Sequence, residues 1–274
     1  MHLSRRATSD AHRNSDSNMF KAIRVSILLF ILIFVALSSW LTQARSTDWD
    51  NSLWVKVYPI NADGSEASDK YIATLETSDF ADIEEFIARE VARYGRTLSR
   101  PLRMELGQPI VEQPPEVGPD PGVLGVVAWS LKMRWWASST AGEQDKVDPD
   151  VRIFLRYHNP DSGFVLENSV GLQKGMVGIV NARAGRREQG SNNVIIAHEF
   201  LHTLGATDKY DPASAQPLAP DGLAEPNRDP LYPQRWAEIM GGRIALAPDD
   251  AVIPKSLKYA VIGPLTASEI NLVE

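Results

Sequence analysis

His198, Glu199 and His202 stand in the order His-Glu-x-x-His within the stretch from Ala197 to Asp208. Two histidines four apart on a helix lie on one face, so both imidazoles can reach a single tetrahedral cation. A carboxylate directly after the first histidine is placed to hydrogen-bond a metal-bound water and take its proton. Glu199 is therefore the expected general base rather than a ligand. Gly205 is free to adopt the positive φ that ends a helix and turns the chain back, and this turn would bring Asp208 toward the cation as a third protein ligand. A fourth position is then left for water. The competing reading is an amphipathic core helix with two solvated histidines. The apolar run Val194-Ile195-Ile196 ahead of the motif, Asn192 or Ser191 as N-cap, and Gly then Asp at those offsets favour the metal site.

In this extended form, His198 to Asp208 resembles the zinc motif of metzincin-type metallopeptidases, in the variant with Asp as third ligand. Glu238-Ile239-Met240-Gly241-Gly242 is similar to the methionine turn beneath the zinc in those enzymes, and the resemblance is best over residues 191–243. It implies a zinc cofactor, a peptide or protein substrate, a zincin-like domain, and Met240 as structural support for the floor of the site. Gly242 stands where some members carry a Tyr that assists the metal or the transition state, which leaves Tyr210 and Tyr232 as substitutes by proximity in sequence only. Cysteine-based latency is excluded, because the chain has no cysteine. Two rivals are a non-catalytic binding module that keeps a structural zinc, and a gluzincin-type peptidase with Glu225 as third ligand. The second is disfavoured by Pro226, which opposes the helix that such a ligand needs.

The elements needed to position these groups are those of an α+β domain with a mixed sheet and an active-site helix. Residues 54–58 are β-branched and aromatic and end at the turn Asn61-Ala62-Asp63-Gly64, which predicts a strand. Phe80, Ile83, Ile87, Val91 and Tyr94 recur at helical spacing, with Ser78 as N-cap and Gly95 as stop. Alternation over 102–106 and 151–157 predicts two more strands, the second ending at a turn where His158 would be solvated. Residues 175–181 look like a further strand at a sheet edge, since glycine sits where backbone can be approached; by the resemblance, this strand or its neighbour would line the cleft. Asp120-Pro121 should start a helix through Val127, Trp129, Met133 and Trp136, apolar on most faces and so expected to be buried. Residues 108–121 read as a surface loop. Between Asp211 and Pro233 six prolines define a long irregular loop expected along the active-site rim, and a closing helix is expected from Thr266 or Ser268.

Composition fits one globular domain plus an appendage: 274 residues, 43% hydrophobic, 23% charged. Residues 1–24 carry five basic against two acidic side chains and no apolar periodicity, as expected of a disordered cytoplasmic tail. Residues 25–41 contain no charge and are long enough, at the short limit, for a membrane helix. The basic flank before them keeps the N-terminus inside and places 42–274 outside the cytoplasm as the peptidase-like domain. Cleavage near Ala36-Leu37-Ser38, releasing a secreted domain, is the alternative. The formal charge is −7, of which the tail contributes +3 and the remainder −10. Nucleic acid is therefore not an expected partner, because no basic stripe is available to follow phosphates.

Overall fold

The structure, a computed structural model, describes residues 47–118, 122–142, 144–163, 170–172 and 176–273, with a few helical residues between 21 and 33. The chain divides into two units, residues 1–44 and 45–274. Most of the 25–41 run expected to cross a membrane lies outside the described residues. Among those described, no helix is long and apolar enough to do so.

The second unit is built on a five-stranded sheet of β1 (Leu53–Asn61), β2 (Leu102–Leu106), β3 (Val151–His158), β4 (Val170–Leu172) and β5 (Val177–Arg183), in the order β2-β1-β3-β5-β4. Four strands run parallel and β4 pairs antiparallel with β5, so the sheet is mixed. Strand alternation sends Val55, Val57, Ile153, Leu155, Val180 and Ala182 to one face, whereas Tyr58, Ile60, Phe154 and Ile179 point to the other. Both faces are covered, which is why β1, β3 and β5 place apolar side chains on both faces of the sheet. Each such Val, Leu or Ile contributes about 1.5–3 kcal/mol through burial.

The first face carries α1 (Glu66–Ile72), α2 (Ala81–Arg93) and α4 (Gln189–Leu204), with α3 (Gly122–Gly142) on the second. Helix α2 turns Ile83, Phe86, Ile87 and Val91 inward at the spacing that predicted it. Its start is different from the expected Ser78 cap. A single 3-10 turn, Thr77–Phe80, comes first and is closed by a reciprocal box between Glu76 and Asp79. Helix α1 follows the turn after β1, with the Ser65 hydroxyl accepting from Ser68 N–H.

Helix α3 departs most from expectation. Only Met133, Trp136, Ala137 and Ala141 are buried, at i, i+3, i+4, i+8, and they pack on the Phe154 face of the sheet. Val123 and Leu124 are 82% and 84% exposed, and Trp135 71%. A helix with no polar stripe does not reveal which side it buries, and burial further requires a partner surface. Here the buried contacts reach only the C-terminal half of the helix. The expected cap at Asp120-Pro121 lies outside the described residues.

The predicted strand near 175–181 runs from Val177 to Arg183 and is not at the edge. Its register is filled on both sides, Ile153 opposite Gly178 and Gly178 opposite Gly171, and β4 is the edge strand instead. His158, expected on a solvated turn, is the last residue of β3 and is 6% exposed, with its Nε2 3.1 Å from Asn181 Oδ1 on β5. Burial lowers its pKa from the usual imidazole value, and the bond to Asn181 opposes this.

Asp63 ties the β1–α1 turn to the end of β3. Its carboxylate accepts from Asn159 N–H at 2.6 Å, Ser65 N–H at 3.0 Å and the Ser68 hydroxyl at 3.0 Å. Burial would raise its pKa, but these donors prevail and hold it at about 2. A depressed carboxyl contributes stability above its unfolded value, lost as pH falls toward 2. The urea-unfolding free energy of the wild type should therefore exceed that of Asp63→Asn at pH 6, with the gap closing at pH 2. An equal gap at both pH values would show that the carboxylate charge contributes nothing there.

Candidate metal centre

Helix α4 is fixed at its N-terminal end by amides rather than by a capping side chain. Neither Asn192 nor Ser191 caps it: the helix begins at Gln189 after Glu188, with no side-chain cap. Asn192 is buried and bonds both Arg183 N–H (3.1 Å) and Arg183 O (2.9 Å), tying the helix to β5. Gln189 and Asn193 each donate to Asp79 O at 3.0 Å, tying it to the turn before α2. Val194, Ile196, Ala197, Phe200, Leu201 and Leu204 bury the rest of that face. The helix stops at Gly205, whose φ of 111° is one that a side chain would resist.

Beyond this turn His198, His202 and Asp208 converge. The Nε2 atoms of the two histidines lie 3.1 Å apart, and each is 3.1 Å from Asp208 Oδ1. Among the described residues this is the one group of three or more potential ligands gathered closely enough to share a cation. The far nitrogens fix the tautomers: His198 Nδ1 lies 2.9 Å from Ile239 O and His202 Nδ1 2.7 Å from Ala206 O. A carbonyl can only accept, so both Nδ1 atoms carry the hydrogen and both Nε2 lone pairs point inward. Two lone pairs and a carboxylate oxygen facing one another need a positive centre between them. Tetrahedral bonds of about 2.0–2.1 Å place ligand atoms about 3.3 Å apart, which the three distances approach, and the N2O donor set suits zinc better than a calcium or magnesium ion. Without a cation, a proton shared between the rings and Asp208 would take that place. In that protonated form burial raises the Asp208 carboxyl, but the bonds from the rings prevail and hold it well below the usual carboxylate range. The His202 imidazole, also against its burial, is raised by Asp208 and by the charge of Glu199.

Glu199, 5% exposed, lies beside His198 in the lining of a cavity of about 320 Å³ that Tyr210 and Arg243 also line. Tyr210, unlike Tyr232, belongs to this lining. Burial, followed by the charges of Asp208 and Glu199, raises its phenol pKa, and Arg243 opposes the rise. Pro212 and Ala215 of the irregular loop also face the cavity. Glu225 does not join the ligand group; its carboxylate accepts from Arg235 N–H and Nε at 2.9 Å each. His158 at the end of β3, held by Asn181 of β5, is likewise not among the clustered ligands.

Met240 is fully buried in a single 3-10 turn, Ile239–Gly241, that follows β6 (Ala237–Glu238). Two backbone carbonyls of this turn reach the cluster. Ile239 O orients His198, and Met240 O accepts from Lys209 N–H at 2.9 Å, holding the residue next to Asp208. Space at this turn is tight: a Cβ on Gly241 would lie 2.3 Å from Gly222 O.

Two carboxylates that the sequence did not single out stabilise this arrangement. Glu238, fully buried, accepts from Gly241 N–H (2.8 Å), Gly263 N–H (2.9 Å) and the Thr266 hydroxyl (2.7 Å), joining the turn to α5 (Pro264–Glu269). This helix begins at Pro264, earlier than expected. Its Glu269 receives the Thr207 N–H at 3.0 Å and the Lys209 ammonium at 2.7 Å, bracketing Asp208 from both sides in sequence. In the sequence, Glu-x-x-Gly is the faint trace of the first, and nothing local marks the second.

No protein-family model matches the chain, and no curated protein matches it. Among solved structures, one of a chaperone-substrate complex is similar over 81% of this chain, with 14% identity and a TM-score of 0.41. The chain spans 34% of that one's length, and a likeness at this level carries no functional argument.

Proposed function

We propose that the chain is a zinc-dependent peptidase of metzincin type, with His198, His202 and Asp208 as metal ligands and Glu199 as general base. The observation that carries the reading is the convergence of two Nε2 atoms and Asp208 Oδ1 at 3.1 Å, with both Nδ1 atoms turned to carbonyls, beside a buried glutamate that lines a cavity. A zinc ion held there would supply Lewis acidity toward a scissile carbonyl and acidify water. Glu199 would take a proton from the attacking water and return it to the leaving amine. Tyr210 places a phenol in the same cavity, where it would donate a hydrogen bond to charge developing on the carbonyl oxygen. The open side of the cavity would admit an extended peptide, whose partner strand in a zincin-like arrangement is the edge strand β4. The uncharged run 25–41 behind a basic tail supports a domain anchored outside the cytoplasm, or secreted if the run is cleaved.

Metal analysis joined to a broad peptide-cleavage screen tests this. The purified chain should hold one zinc, cleave at least one peptide in the screen, lose that activity on dialysis against a chelator, and recover it with zinc. Zinc retained with no cleavage of any peptide would move the protein to the binding-module reading. No zinc bound at all would overturn both.

A further inference from the structure

A second cavity of about 530 Å³ adjoins the one beside Glu199, with Ile195, Arg243 and Ile253 lining both. The charges around the second cavity are one-sided. Arg183, Arg187, Arg243 and Lys255 border the second cavity against the single acid Glu188. This occurs in a chain whose net charge is −7. A surface that merely keeps an acidic protein soluble does not gather four cations around one hollow next to a catalytic cleft. Arg243 is the junction. It lies just after the turn at Ile239–Gly241, and its Nη1 donates to Ala251 O at 3.5 Å across the hairpin of β7 (Ile244–Ala247) and β8 (Asp250–Val252), which holds one nitrogen of the guanidinium and leaves the others for a ligand. Its charge is felt at Tyr210 inside the first cavity.

We infer that the second cavity is a carboxylate-binding subsite, entered past Arg243, and that the peptide taken by this site carries an acidic group on that side of the bond to be cut. The inference rests on the peptidase reading above and adds the substrate's chemistry to it. A guanidinium presents a planar fork that matches a carboxylate in two parallel hydrogen bonds, and Arg187 and Lys255 add a positive field behind it. Two sources supply such a group: an Asp or Glu side chain within the peptide, or the free carboxylate of its C-terminus. The first makes the site an endopeptidase selective for acidic sequences, and the second limits it to residues near a chain end.

The test uses the zinc-loaded full chain with Glu199→Gln, which binds without turnover, and fluorescent peptides read by anisotropy. One set compares Glu, Gln and Lys at successive positions on either side of a fixed centre, all with amidated ends. The other compares free and amidated C-termini. We expect an acidic side chain or a free terminus on one side to tighten binding about 10-fold over the neutral peptide, as for a charge-assisted bond. The preference should vanish in Arg243→Gln and reverse toward Lys in Arg243→Glu, with circular dichroism unchanged. Whichever peptide set carries the preference identifies the source. Equal binding of acidic, neutral and basic peptides overturns the inference, and if the Glu199 chain then cleaves neutral peptides the peptidase reading survives. Arg243-dependent binding of acidic peptides by a chain that cleaves none leaves the subsite standing and removes the peptidase.

Discussion

Glu199→Gln should lower peptide hydrolysis by about 100-fold or more while zinc content and the circular dichroism spectrum stay those of the wild type. The substitution keeps the size of the side chain and its capacity to accept a hydrogen bond through the amide oxygen, so the buried position beside His198 is preserved. The property removed is the ability to hold a proton between its departure from water and its delivery to the amine. The ligand atoms are supplied by His198, His202 and Asp208 at 3.1 Å from one another, and Glu199 is not needed to complete that group. Metal content therefore discriminates. A variant that loses zinc along with activity would make Glu199 a ligand, and one that keeps its hydrolysis would remove it from the mechanism.

The parts of the site written within one short stretch of chain were legible in residue spacing, and of those supplied from far along the chain only the turn at 238–242 was, through its resemblance. His198 and His202 meet because a helix repeats every 3.6 residues, and Gly205 turns the chain because it lacks a Cβ; both are local facts. The strands at 53–61, 102–106 and 151–158 follow from alternation and branched side chains in the same way. Glu238 and Glu269 are different. They hold the turn at Ile239–Gly241 and Asp208 through partners 25 to 62 residues distant, and a lone glutamate in sequence has no mark of such a partner. Asn192 misled because an Asn at the start of an apolar run looks like a cap, whereas its two bonds to Arg183 serve the strand beside it. His158 misled because its Asn-Pro-Asp-Ser-Gly continuation marks a turn; the histidine is one residue earlier, where Asn181 of the neighbouring strand covers it. The exposed face of α3 could not be foreseen, since a helix apolar all round gives no angle and the partner sheet touches only part of it.

Removing the Asp208 carboxylate should weaken zinc binding at least about 100-fold, more than is usual for partners that only orient a ligand. Two features converge on this expectation. Asp208 Oδ1 lies 3.1 Å from both inward-facing Nε2 atoms, and the chain on either side is clamped by Glu269 and by Met240 O. Asp208→Ala should keep this clamp, because the bonds run through Thr207 and Lys209, so loss of affinity without loss of fold is the expected pattern. Asp208→His restores a donor atom at the same place and should recover part of the affinity. His158→Ala should change it little, since that ring bonds Asn181 and stands apart from the ligand group. Competition titration of zinc against a chelator gives the affinities, and the zinc-induced rise in melting temperature gives an independent measure, because a ligand that binds only the folded state stabilises it by about 2.7 kcal/mol at a hundred times its Kd. Wild type and His158→Ala should show that rise, and Asp208→Ala should lose most of it at the same zinc concentration. If His158→Ala strips the metal while Asp208→Ala retains it, the third ligand has been misassigned, and the buried end of β3 must rearrange to reach the histidine pair.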